Sequence, residues 1–110
     1  MIIVSILRNK ANDITGFKVS GHAGYADRGE DIVCAGVSAV TVGTVNAIEA
    51  LTGTVMIAKM KNGFLNAVLP GDVSPEAAGQ VQLLLSSMVV MLESIEGTYG
   101  KYIQIKDVTT

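Results

Sequence analysis

The stretch from Ile32 to Leu51 limits what this chain can become. It leans apolar throughout and is interrupted by Thr41, Thr44, Asn46 and Glu49. Asp31 stands before it as a helix N-cap, and Gly53 follows Thr52 where a helix C-terminus prefers glycine. The spacing predicts one long helix from Ile32 to about Thr52. Gly36, Gly43, Ala47 and Ala50 recur along one side of it, and Ala35, Ser38 and Ala39 add to the small residues. Glycines and valines are poor helix formers, so tertiary burial must stabilise this helix. Its polar interruptions mark it as a buried helix rather than a membrane span. The remaining chain therefore has to supply a surface that covers it.

The flanking segments supply that surface. Ile2 to Leu7 is rich in β-branched residues and Ile14 to Ser20 alternates, so the two form a hairpin across a turn at Asn9, Asn12 and Asp13. After the central helix, Thr54 to Met60 and Phe64 to Leu69 flank Lys61-Asn62-Gly63. Asn-Gly between apolar runs signals a second hairpin. Ser74 caps a second helix with Pro75 at its first position and Glu76 near its positive end. That helix is expected to run to about Glu96, with Gly97 and Gly100 ending it. Its core face is Val81, Leu84, Leu85, Met88, Leu92 and Ile95. Tyr102 to Val108 is the final strand. The order β-β-α-β-β-α-β contains no βαβ repeat with a glycine-rich phosphate signature. The fold class is α+β, with a single five-stranded mixed or antiparallel sheet and two helices, in one domain spanning residues 1–110.

Charge and hydropathy narrow the partners. Eight basic and ten acidic residues give a net charge of −2, with no Lys/Arg cluster along the sequence, so no direct nucleic-acid partner is expected. Met1 to Leu7 lacks the flanks of a signal peptide, and neither a leader nor a membrane partner is expected. A mean hydropathy of +0.45 is high for so short a chain and points to apolar surface hidden in an oligomer. One cysteine forms no internal disulfide and builds no Cys-rich zinc site, so no metal and no cofactor are expected. A reducing cytoplasm fits.

The only histidine, His22, and the only cysteine, Cys34, bracket a loop that carries Gly21, Gly24 and Gly29. Those glycines are candidate hinges, or else positions that need a positive φ. With Asp31 as N-cap, Cys34 is the third residue of the helix, near its unpaired N–H groups and its positive end. Such a setting favours a thiolate, and the same N–H groups can form an oxyanion hole. His22 ends a strand that the loop brings back toward the helix start, which allows a thiolate–imidazolium couple. Asp31 has two readings, as the cap or as the carboxylate that orients His22. Ser38 lies one turn beyond Cys34 and either packs and bonds locally or contributes to the site.

Gly21-His22-Ala23, followed by Gly29-Glu30-Asp31-Ile32-Val33-Cys34-Ala35-Gly36-Val37-Ser38, closely resembles the ribosomal-processing cysteine proteases (Prp). The likeness extends over the whole chain. It implies a homodimeric cysteine endopeptidase that removes the N-terminal extension of a large-subunit ribosomal protein before ribosome assembly. By the same resemblance His22 is the base and Cys34 the nucleophile, while Asp31 and Ser38 fall on motif positions. Two other classes stay open on the residues alone: a non-enzymatic ribosome-assembly adaptor with a buried cysteine, and a single-cysteine redox sensor that does not need His22.

Overall fold

The structure is a computed structural model that describes residues 1–110. Its elements are β1 (Ile2–Arg8), β2 (Ile14–Ser20), α1 (Ile32–Thr52), β3 (Ile57–Lys61), β4 (Phe64–Val68), α2 (Pro75–Tyr99) and β5 (Ile103–Thr109). The strands form one sheet in the order β3-β4-β2-β1-β5. Three neighbouring pairs are antiparallel, and β1 with β5 is parallel. The expected α+β class holds, and the sheet is mixed. The parallel pair arises because α2 carries the chain back across the sheet before β5 begins.

Strand alternation decides which face the helices cover. Val4 pairs with Val19, Ile6 with Phe17, and Phe17 in turn with Ala67. These side chains share a face with Ile2 and Ile103, and they form the core with Val33, Val37 and Ile48 of α1 and Val81, Leu85, Met88 and Leu92 of α2. Each of the larger apolar side chains contributes roughly 1.5–3 kcal/mol on burial. The opposite face carries Lys18, Lys59 and Lys106 into solvent. Gln82 pins α2 to the sheet: its side chain accepts from the Ile14 N–H at 2.9 Å and donates to the Ile14 carbonyl at 2.7 Å.

The small residues of α1 do not set its approach to α2: Ala35, Ala39, Gly43 and Ala50 are exposed, and the buried stripe is Val33, Val37, Thr41, Thr44 and Ile48. A Cβ at Gly36 would lie 3.7 Å from Cδ1 of Ile95, an ordinary contact distance. The threonines that interrupt the apolar run return their hydroxyls to the helix backbone. Thr41 donates to the Val37 carbonyl at 2.7 Å and Thr44 to that of Val40 at 2.6 Å, so neither buries an unpaired hydroxyl. Both helices are long and apolar enough to cross a membrane by length and composition, yet each places one stripe of side chains in the core against the sheet.

Most expected boundaries shift by no more than one residue, and two move further. The second helix passes through Gly97 and ends at Tyr99, with Gly100 as its cap, because Leu92 and Ile95 keep the last turns packed on the core. The third strand starts at Ile57 rather than Thr54. Pairing with β4 begins there, at Val68, and the Thr54 N–H turns back to Oγ1 of Thr52.

Candidate active site

Asp31 organises the start of α1. It is only 9 % exposed, and its backbone is extended, as an N-cap requires. One carboxylate oxygen, Oδ1, accepts the N–H groups of Val33 and Cys34, each at 3.0 Å. The other, Oδ2, accepts those of Tyr25 at 2.9 Å and Ala26 at 3.3 Å. A single side chain thus caps the helix and ties down the loop that precedes it. The Cys34 amide above all, then those of Ala26, Tyr25 and Val33, hold the Asp31 carboxyl below its ordinary value of 3.8, against the opposing effect of burial. All four bonds go to backbone amides and none to the imidazole of His22. The geometry realises the capping reading.

The same arrangement corrects the expected oxyanion hole. The N–H groups of Val33 and Cys34 are engaged by the Asp31 side chain, and that of Ala35 donates to the Asp31 carbonyl at 3.0 Å. The capping carboxylate satisfies the donors that the bare sequence left open.

Cys34 is half-buried and packs against the core. Its Sγ accepts the N–H of Ala23 at 3.3 Å. The residue after His22 is therefore in direct contact with the thiol. His22 itself is exposed. Its imidazole does not bond to Sγ in this conformation and rests instead against Gly63, in the turn between β3 and β4. The N–H of Gly21 donates to the Gly63 carbonyl at 2.9 Å and continues the β2–β4 pairing past the end of both strands.

The loop glycines take positive φ, +89° at Gly21, +71° at Gly24 and +88° at Gly29. At Gly21 a side chain is excluded twice, since a Cβ would also collide with the Met1 carbonyl oxygen. The loop is also anchored by Tyr25, whose ring meets those of Tyr99 and Tyr102 edge-on at centroid distances of 5.8 and 5.2 Å.

These residues surround a cleft of about 520 Å³. His22, Asp31, Cys34 and Ser38 all line it, as do Gly21, Gly24 and Gly29. The β3–β4 hairpin, Met60 to Leu65, also lines it. Asn62-Gly63 reads in the sequence as a turn alone, and nothing local marks its place in the cleft. The available signal was topological: a hairpin paired with β2 must end beside the residue that follows β2.

The model of the family described as cysteine protease Prp matches residues 1–104. A ribosomal processing cysteine protease Prp of Bacillus subtilis is 37 % identical over 107 residues, covering 96 % of each chain. One from Staphylococcus aureus is 39 % identical over 106 residues, covering 96 % of this chain and 97 % of its own. The crystal structure of the Staphylococcus aureus protease with a covalently linked product peptide superposes with a TM-score of 0.88 at 34 % identity, over 98 % of this chain and all of that one. The same protease with a substrate peptide gives a TM-score of 0.83 at 33 % identity, with the same coverage. A cleft that gathers the only thiol and the only imidazole, on a fold shared over nearly the full length, places this chain in the cysteine protease Prp family.

Proposed function

We propose that this protein is the endopeptidase that removes the N-terminal extension of a large-subunit ribosomal protein, with Cys34 as nucleophile and His22 as general base. The observation that carries this reading is the Ala23 N–H bond to Sγ of Cys34, which joins the histidine-bearing strand end to the thiol-bearing helix start. The names of its relatives supply the substrate class.

In this reading His22 takes the thiol proton, and the thiolate attacks the scissile carbonyl carbon. The tetrahedral intermediate collapses, the C–N bond breaks, and the imidazolium passes its proton to the leaving amine. The N-terminal fragment is then held as a thioester on Sγ. Water, deprotonated by the same imidazole, attacks that thioester; the C–S bond breaks and the thiol is restored. Ala23 supplies a hydrogen bond to the sulfur, and Asp31 holds the loop and helix in register. Ser38 lies on the cleft within reach of substrate.

We further infer that the enzyme works as a homodimer in the cytoplasm. Leu83, Val90 and Met91 on α2 are exposed, at 70 %, 61 % and 42 %, beside a shallow groove lined by Gly43, Ala47 and Leu84. Such a surface suits a second apolar helical face.

The test is cleavage of the N-terminally extended ribosomal protein by wild type, Cys34→Ala and His22→Ala, with folding of each variant checked by circular dichroism. Cleavage by wild type alone supports the assignment. Cleavage by folded Cys34→Ala overturns the nucleophile, and an intact substrate with wild type overturns the substrate class.

A further inference from the structure

The turn between β3 and β4 lies against the imidazole of His22. A Cβ placed on Gly63 would lie 2.7 Å from Nε2 of His22, 3.2 Å from Cε1 and 3.4 Å from Cδ2. The first distance is shorter than any contact a real side-chain carbon tolerates. The tip of the ring therefore occupies the space that every other amino acid at position 63 would fill. Gly63 also has a φ of +74° and accepts the Gly21 N–H through its carbonyl at 2.9 Å. One residue holds the backbone immediately before His22 and leaves room for the His22 ring.

We propose that Gly63 is a positioning residue for His22, acting as the seat that fixes the imidazole in the cleft. This rests on the reading of His22 as the base. What yields on substitution follows from the geometry. The atoms met are the far end of a rotatable side chain, so a methyl group at position 63 is relieved by turning the ring out of its seat rather than by moving the sheet. The fold survives and the place of the ring in the cleft does not. A displacement of about 1 Å in a reacting group is enough to lower turnover about 100-fold.

A control for backbone strain exists in the same chain. Gly53 has a φ of +76°, almost the value at Gly63, and a Cβ there meets nothing within 4 Å. Gly53→Ala therefore reports the conformational penalty alone. The experiment compares wild type, Gly63→Ala, Gly53→Ala and His22→Ala for thermal midpoint, for kcat and KM on the extended ribosomal protein, and for the pH profile of Cys34 alkylation by iodoacetamide. His22 is the sole histidine, so its ring Cε1–Hε1 signal in a proton–carbon NMR spectrum reports the seat directly.

Gly63→Ala is expected to melt near Gly53→Ala, to lose about 100-fold in kcat with little change in KM, to shift the His22 signal, and to alter the alkylation profile in the direction of His22→Ala. A Gly63→Ala enzyme with the wild-type kcat, profile and ring signal overturns the seat. Activity retained in His22→Ala instead overturns the base assignment and leaves the seat to be judged by the ring signal. Should Gly63→Ala not fold, the wild-type protein still decides: a nuclear Overhauser effect between the Gly63 Hα protons and the His22 ring is required, and its absence overturns the proposal.

Discussion

The backbone N–H of Ala23 meets Sγ of Cys34 at 3.3 Å, across a separation of eleven residues. The loop between them is closed at its far end by Asp31, whose Oδ2 accepts the N–H groups of Tyr25 and Ala26. The thiol thus sits in a small ring of chain whose closure depends on one carboxylate.

That dependence sets an acid limit. The folded Asp31 carboxyl titrates below its ordinary value of 3.8, so it stabilises the fold fully above that value and stops doing so as the pH falls through its lower, folded value. Asp31→Asn keeps a capping oxygen for α1 but replaces the charge that holds the loop. Thermal midpoints measured from pH 7 to 3 should show a lower midpoint for Asp31→Asn at neutral pH. The gap to wild type should narrow at the acid end. A constant gap across the range would show that the charge has no part in it.

Tyr25 anchors the middle of the loop between Tyr99 and Tyr102. Edge-on aromatic pairs are each worth about 0.5–1.5 kcal/mol beyond their buried area. Tyr25→Ala should therefore destabilise the protein by about 1–3 kcal/mol in urea unfolding and raise amide exchange selectively across residues 22–30. Exchange that stays at wild-type levels in that segment would show that the Asp31 bonds suffice to hold it.

Gln82 gives a contrasting case, remote from the cleft. Gln82→Ala removes both of its bonds to Ile14 and strands two backbone groups at the edge of the core. A loss of about 1–3 kcal/mol in denaturant unfolding is expected, with kcat unchanged. A large fall in kcat in the folded variant would contradict the separation of core and site.

The exposed α2 face makes a prediction about assembly. Leu83→Glu places a charge among Val90, Met91 and their neighbours and should shift the sedimentation coefficient from dimer to monomer at micromolar concentration. A wild-type protein that already sediments as a monomer would remove the proposed interface.

Much of this architecture is legible in the sequence. Asp31 and Gly53 mark the ends of α1 because capping is a local matter of one side chain and one φ. The motif around His22 and Cys34 falls on one cleft. What escapes is contact between distant segments. Gly97 looks like a helix stop, but packing at Leu92 and Ile95 overrides its propensity. Thr54 to Met56 look like strand, but a strand needs a partner, and pairing begins only at Ile57. The N-cap expected at Asp31 already implies that it occupies N–H groups of the first turn; what the sequence does not show is that its second oxygen holds the loop through Tyr25 and Ala26. Gly63 reads as turn chemistry alone, since its contact with His22 spans forty-one positions.

The most direct test of the central claim is to catch the covalent intermediate. Wild-type enzyme mixed with the extended ribosomal protein is quenched in acid during the first turnovers, and its intact mass and peptide map are measured. An adduct equal to the released N-terminal fragment less one water, held as a thioester on Cys34, is expected. Cleavage that proceeds through an adduct on any other residue, or at full rate in folded Cys34→Ala, would contradict it.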